Sequence, residues 1–376
     1  MAVTIKQVTC KKDLKAFVNF PNKLYKGNKY FVPKLFLDEV NTFNEKKNPC
    51  YKFCEATLFL AYKDGILAGR VAAVINHKAN EIWNHKEVRY GWIDFIDDIE
   101  VSRALLEKVE DFGRQKGMEI ISGPLGFTDF DPEGMLIDGF DQLCTMALIY
   151  NYPYYPEHLE KLGYSKEIDW VEYKVFVPEV LPEKIVKVGE IVTERYGFRV
   201  RKLTRKEVLK EGLGYKLFEI INDTYKDLYN FTPLNNEMVD KYIKDYLGIL
   251  DFEYVTVIED PQGEMAGYGI AVPSIRVALQ KCRGKLFPLG WLYILRSLFF
   301  KHEECIELLL VGVKPEYRNK GLMALIFSDL IPRMRRGKFV YGETNAELET
   351  NTTVQQQWSM FETEQKKRRR IYSKKI

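Results

Sequence analysis

The chain has 376 residues, 46% of them hydrophobic and 29% charged, with a formal net charge of +3. That length is too great for one typical domain and suits two, each large enough to bury a core. The composition excludes a disordered chain, and the near-neutral balance excludes a global field that would recruit nucleic acid, so no nucleic-acid partner is expected.

The opening residues, MAVTIKQVTCKK, lack the apolar core of a signal peptide. The most apolar stretch, residues 286–300, is too short to span a bilayer and contains Pro288, Gly290 and Arg296. The six cysteines have no metal or disulfide spacing, and His77, His85, His158 and His302 form no spaced set, so no metal site is expected. The expectation is a cytoplasmic protein, with peripheral contact at the inner face of the membrane as its one membrane role. The pattern does not give the oligomeric state.

In chain order, the first clear element is a hairpin, ATLFLAYKDGILAGRVAAVI, with its turn at Asp64-Gly65. A helix then runs from Ala104 to a stop at Gly117, and the strand MEIIS follows. Residues 123–141, GPLGFTDFDPEGMLIDGFD, form a loop rich in glycine and acid. Its Asp129, Asp131 and Glu133 read either as contacts for a cationic amine or as plain turn formers. Residues 177–197 open with two prolines and turn helical, as an inter-domain linker would.

The same elements then return. YVTVIEDPQGEMAGYGIAV is a second hairpin, with Gly263 at the turn and Ala266-Gly267 matching Ala68-Gly69. A second helix runs from Ala324 to Gly337, spaced as Ala104 is from Gly117, and the strand KFVY follows. Two matched units in the same order predict a duplication. The second copy carries an insertion between hairpin and helix, and its content is the aromatic segment around Trp291. That segment reads as a core helix, or as the lining of an acyl or lipid tunnel or a membrane-interface helix. The basic tail KKRRRIYSKKI reads as a last edge strand with basic outward faces, or as a contact for anionic lipid.

The chemistry concentrates in residues 306–327, IELLLVGVKPEYRNKGLMALIF. An apolar strand ends at Val313, a Pro-containing turn follows, and a helix begins near Asn319. Free backbone N–H groups at a helix start, Arg318 and Lys320 alongside, and a bare Gly321 are what a pyrophosphate needs. Val313, Pro315, Arg318 and Gly321 resemble motif A of the GNAT superfamily, with Met323 where a small residue is usual. Farther on, Glu349, Asn351 and Val354 resemble its motif B, with Trp358 where a tyrosine is common. A tryptophan cannot give a proton to a leaving thiolate, so the family's tyrosine acid is not carried over. The first copy lacks motif A, because DDIEVSRALLE has no glycine at its helix start.

The GP-x-x-F and DPEGMLIDGFD loops, the Asn-Tyr-Pro-Tyr-Tyr segment, the FPLGW insert and the RNKG turn resemble the long bacterial GNAT-like proteins that include bacterial ceramide synthases. The resemblance implies an α/β fold of mixed sheets in two tandem GNAT-like domains. These are a degenerate domain at 1–177, a linker at 178–197, and a second domain at 198–376. It implies acyl-CoA as co-substrate, no metal, and an amine acceptor, with a long-chain lipid amine as one candidate. Val311, Gly312, Val313, Arg318, Asn319, Lys320, Gly321, Leu322, Met323 and Asn351 would hold the acyl-CoA. Glu307 is the first candidate base, with Glu343 and Asn345 on the neighbouring strand as second choices. Asp129, Asp131, Glu133 and Trp291 would meet the acceptor or the acyl chain. A Fem-type aminoacyl transferase and a non-catalytic binding protein of the same fold stay open as alternatives.

Overall fold

A computed structural model describes residues 2–246 and 248–376. In chain order its strands are β1 (Val3–Gln7), β2 (Cys54–Lys63), β3 (Ile66–Asn76), β4 (Glu87–Phe95), β5 (Ile120–Gly123), β6 (Met135–Asp138) and β7 (Ser165–Phe176). There follow β8 (Arg199–Arg201), β9 (Val255–Glu259), β10 (Met265–Pro273), β11 (Cys305–Val313), β12 (Tyr341–Thr344), β13 (Glu347–Leu348) and β14 (Thr363–Lys375). The chain divides into two compact units. One comprises residues 1–171, 278–291 and 366–376, and the other residues 172–277 and 292–365. This differs from a simple cut at 178–197, because the C-terminal residues belong to the first unit.

In the first unit, β1 to β4 form an antiparallel run, β5 joins β4 in parallel, and β14 joins β5 antiparallel. The β2–β3 turn uses Asp64 at φ 53° and Gly65 at φ 78°, the pair of left-handed residues that a two-residue hairpin demands. The helix Ile99–Gln115 lays Val101, Leu105, Leu106 and Val109 on this sheet, all essentially inaccessible. A side chain at Gly69 would stand 2.7 Å from Leu105, so the bare backbone lets helix and hairpin close up.

The basic tail is not an outward-facing edge. Arg369 is fully buried and donates to the Ile149 carbonyl at 2.6 Å, while Arg370 and Arg368 bracket the buried Asp169 carboxylate. Buried cations persist only where acceptors meet them, and here β14 supplies cations to acceptors of its own unit.

The second unit repeats the plan. Its strand order is β7, β12, β11, β10, β9, β8, with β11 and β12 as the parallel pair. The β9–β10 turn has Gly263 at φ 83°. The helix Leu322–Arg336 packs on the sheet through Leu322, Leu325, Ile326 and Leu330. The segment read as a linker is instead mostly the helix Glu183–Tyr196, whose Ile185 and Val192 are buried in this unit. Its two prolines precede a helix rather than a flexible spacer.

Candidate acyl-transfer site

Strand β11 pairs antiparallel with β10 from Ile306 to Val313, but in parallel with β12 only from Cys305 to Leu308. Leu309 is the residue passed over where the β10 register slips between Ile270 and Ala271. Asn345 N–H closes the last rung on the Leu308 carbonyl at 3.1 Å. Beyond it the two parallel strands diverge, and residues 309–313 are half-exposed. A strand edge of this kind offers backbone donors and acceptors to an extended ligand. Val311, Gly312 and Val313 lie on it. A side chain at Gly312 would come within 2.7 Å of the Tyr268 ring, so glycine permits the close packing of that tyrosine.

After Val313 the chain makes one 3-10 turn, Pro315–Lys320, and enters the helix through Gly321 at φ 77°. Among the described residues no side chain caps this helix start. Arg318, Asn319 and Lys320 are exposed, and among the described residues no carboxylate pairs with Arg318 or Lys320. Lys320 instead lies over the rings of Tyr317 and Phe198, at 5.0 and 5.6 Å. Leu322 is buried in the core, whereas Met323 stays half-exposed. The matching helix start of the first unit is chemically opposite. Asp98 caps it, accepting from the Glu100 N–H at 3.0 Å, and Lys63 pairs with that Asp98. An acid at the first helix start disfavours an anion there, and the second helix start carries no such acid.

Glu307 and Glu343 lie on the paired part of β11 and β12 and are buried. Glu307 accepts from the Ser274 hydroxyl at 2.9 Å. Glu343 is in ion-pair contact with Arg276, which also donates to Tyr341 at 2.8 Å and stands 3.8 Å from Glu303. The two carboxylates therefore sit in a packed polar cluster beneath the point of divergence. Asn345, at the divergence itself, has a buried side-chain oxygen with no hydrogen-bond partner among the described residues. Asn351 caps the helix Thr352–Gln357, accepting from Val354 N–H at 3.4 Å.

Two further residues meet here that the spacing of motifs does not single out. Glu347, on β13, accepts from the Trp358 indole N–H at 2.8 Å through Oε1, while its Oε2 is buried without a partner among the described residues. Burial pushes this carboxyl up to about 7, against the pull of the indole hydrogen bond. Tyr225, at the end of the helix Leu213–Tyr225, stands beside the Val311 backbone and the Tyr268 hydroxyl and feels the Glu347 charge. Burial pushes Tyr225 up to about 12, so it keeps its proton at neutral pH. A carboxyl that titrates near neutrality and a protonated phenol thus lie near the open strand edge.

In the first unit, Asp131 closes its own loop, accepting from the Phe127 and Thr128 N–H groups at 2.8 and 3.2 Å. Glu133 is held well above the usual carboxylate range by burial and by the charges of Asp129 and Asp131. Trp291 is about two-fifths exposed and donates to the Pro288 carbonyl at 3.1 Å. Among the described residues no group of three or more potential metal ligands occurs, and no helix is long and apolar enough to cross a membrane.

No protein-family model matches the chain. The whole chain superposes on 98% of a solved tandem GNAT protein from the clavulanic acid biosynthesis pathway, with a TM-score of 0.58 and 10% identity. The fold is therefore a tandem GNAT fold. In sequence the chain is 30% identical to Protein YghO of Escherichia coli (strain K12), over 97% of this chain and 94% of that one, and it belongs to that protein's family. It is also 26% identical to a bacterial ceramide synthase of Caulobacter vibrioides, over 82% of this chain and 79% of the other.

Proposed function

We propose that the chain is an acyl-CoA-dependent N-acyltransferase whose second unit binds the acyl-CoA and carries the chemistry. The observation that carries this proposal is the open edge of β11 leading into an unpaired cationic turn and an uncapped helix start. The pyrophosphate would meet the backbone N–H groups around Gly321, with Arg318 and Lys320 as counter-charges. The pantetheine arm would pair with the free edge of Val311, Gly312 and Val313. Acyl-CoA supplies the activated thioester.

In the transfer step the acceptor nitrogen attacks the thioester carbonyl carbon, the C–S bond breaks, and the thiolate leaves. Glu347, titrating near neutrality, takes the ammonium proton so that the nitrogen lone pair is available. Tyr225 holds a proton beside Val311 that can pass to the departing sulfur, and the phenolate so formed takes the second proton from the acylated nitrogen. The Val311 N–H, which donates to the Tyr225 hydroxyl in the ligand-free chain, would turn to the developing oxyanion once the thioester carbonyl takes that place. Trp358 occupies the place of the family's tyrosine, and its N–H positions Glu347. Glu307, Glu343 and Asn345 then set the shape of the divergence and hold β11 and β12 where the edge opens.

The ceramide synthase relative supports a long-chain amine as acceptor. So does residues 286–300, whose Phe287 is 72% and Phe300 83% exposed, with Leu289, Leu292, Tyr293 and Phe299 also exposed. That much exposed apolar surface between Lys285, Arg296 and Lys301 suits contact with an anionic lipid interface. Incubating the protein with palmitoyl-CoA and a long-chain amine, and following amide and free thiol together, tests the proposal. Release of thiol without amide would leave only a thioesterase.

A further inference from the structure

The first unit contains a cleft of its own, open to solvent at its mouth. Phe31, Val32, Phe36, Ile93, Pro132 and Ile149 give it apolar walls. Its floor is a closed polar network. Arg70 Nε meets Asp94 at 2.8 Å and Nη1 donates to the Phe17 carbonyl, while Tyr25 donates to Asp94 at 2.8 Å. Tyr155 joins Tyr25 at 2.9 Å and accepts from the Phe95 N–H. Lys34 spends its ammonium on the Met146 carbonyl at 2.6 Å.

Two lining groups stand outside this network. Glu39 accepts from the Trp92 indole at 3.1 Å through Oε2, and among the described residues no other hydrogen bond reaches it. The half-buried Asn22 side chain has no hydrogen-bond partner among them either. Trp92 is held at φ 45°, next to the β4 register break against Arg70 and Ala72. A bulky residue in that conformation is strained, and such strain is concentrated where side chains are held for a purpose. It carries the indole to Glu39 and onto Phe43, 4.8 Å away.

We propose that this cleft is a binding site for an amphiphile with a primary ammonium head, the ammonium donating to Glu39 and Asn22 and the chain lying along the apolar walls. The charge inventory selects the class. Arg70 and Lys34 are already engaged, so an anionic head would face Glu39 and Asp94 with no unengaged cation lining the cleft. A neutral alcohol would satisfy only one of the free acceptors. Burial raises the Glu39 carboxyl more than Arg70 and Lys34 lower it, so an arriving ammonium would add counter-charge that favours the ionised form. A purely apolar ligand would leave Glu39 Oε1 and Asn22 desolvated and unpaired.

The proposal rests on the acyl-transfer reading for its biological sense, but its test does not depend on turnover. Decylamine, decanol and decanoate are titrated into the full-length protein below their micelle concentrations, with calorimetry and Trp92 emission as readouts. The expected result is decylamine binding at least tenfold more tightly than either analogue. An emission change should accompany it that Trp92→Phe abolishes. Glu39→Gln, which keeps the indole hydrogen bond, should reduce the decylamine preference about tenfold and leave decanol affinity unchanged. Equal affinities for the three heads, or an unaltered preference in the glutamine variant, overturn the proposal. Coenzyme A affinity measured on the same variant separates the two questions. Loss of coenzyme A binding in the wild type sinks the acyl-transfer reading and leaves the amine site standing.

Discussion

The Trp358 indole N–H donates to one carboxylate oxygen of Glu347 at 2.8 Å and leaves the other buried and, among the described residues, unpartnered. One hydrogen bond orients the group without paying its full desolvation, and the carboxyl rises to about 7. If Glu347 is the base, Glu347→Gln should lower turnover roughly 10²–10⁴-fold with coenzyme A affinity nearly unchanged. Turnover in the wild type should fall as pH drops through about 7, and pre-steady-state rates against pH check it. Glu307→Gln should instead act through the packing around Ser274, shifting thermal stability more than the pH profile.

The same carboxyl gives a stability prediction of definite sign. Its folded value lies above the ordinary 4.5, so the fold favours the protonated form. The stability it contributes is present below about 4.5 and lost as pH rises through about 7. Glu347→Gln imitates the protonated group. Its melting temperature should exceed that of the wild type at pH 8 and converge with it near pH 4, as scanning calorimetry would show.

Coenzyme A affinity should depend on the exposed cations of the turn. Arg318→Glu with Lys320→Glu should weaken it at least about tenfold, since each charge at a few ångströms contributes on the order of 1 kcal/mol even in water. Both side chains are exposed, so the fold should tolerate the change. Gly321→Asp is the poorer probe. Gly321 is left-handed at φ 77° and its Cβ would stand 2.7 Å from Val188, so loss of binding there would not separate charge from misfolding.

The last strand should be indispensable to the first unit. Asp169 is buried among Arg368, Arg370 and Lys166, and their hydrogen bonds hold its carboxyl below 3.8 against the opposing effect of burial. Its stabilisation is present above that ordinary value and lost as pH falls through the lower folded one. Asp169→Asn leaves cations unpaired and should cost about 3 kcal/mol or more. Deleting residues 366–376 removes Ile371 and Tyr372 from the core and should prevent folding of that unit. Denaturant titration and limited proteolysis read both.

What the sequence revealed, and what it hid, follows from the range of the forces involved. Asp64-Gly65, Gly263 and Gly117 are local signals, and all carry the left-handed backbone their positions suggest. Gly337 is instructive because its backbone is right-handed and Lys338 turns the chain at φ 61°. Gly337 is bare because a Cβ there would meet the Tyr254 hydroxyl at 2.5 Å. The turn RNKG was legible because loop and helix start are adjacent in sequence. Glu347 was not, because its character comes from burial among residues as distant as Trp358 and Tyr225. Glu39 and Trp92 were hidden for the same reason. The membership of β14 in the first unit rests on pairing with Ile120–Gly123, far outside any local window.

Chain length tests the lipid reading most simply. Each buried methylene contributes about 0.8 kcal/mol, so kcat/KM should climb from acetyl- through octanoyl- to palmitoyl-CoA. Phe287→Glu with Phe300→Glu, at two of the most exposed apolar positions, should reduce binding to anionic vesicles while leaving activity on soluble substrates in place.

The most direct measurement is acyl transfer itself, with palmitoyl-CoA and a long-chain primary amine, followed by mass spectrometry of the amide and by free thiol release. The predicted result is one amide formed for each thiol released in the wild type, with both lost together in Glu347→Gln. Wild-type protein that binds coenzyme A but forms no amide, or a glutamine variant that forms it at the wild-type rate, would contradict the mechanism proposed for this chain.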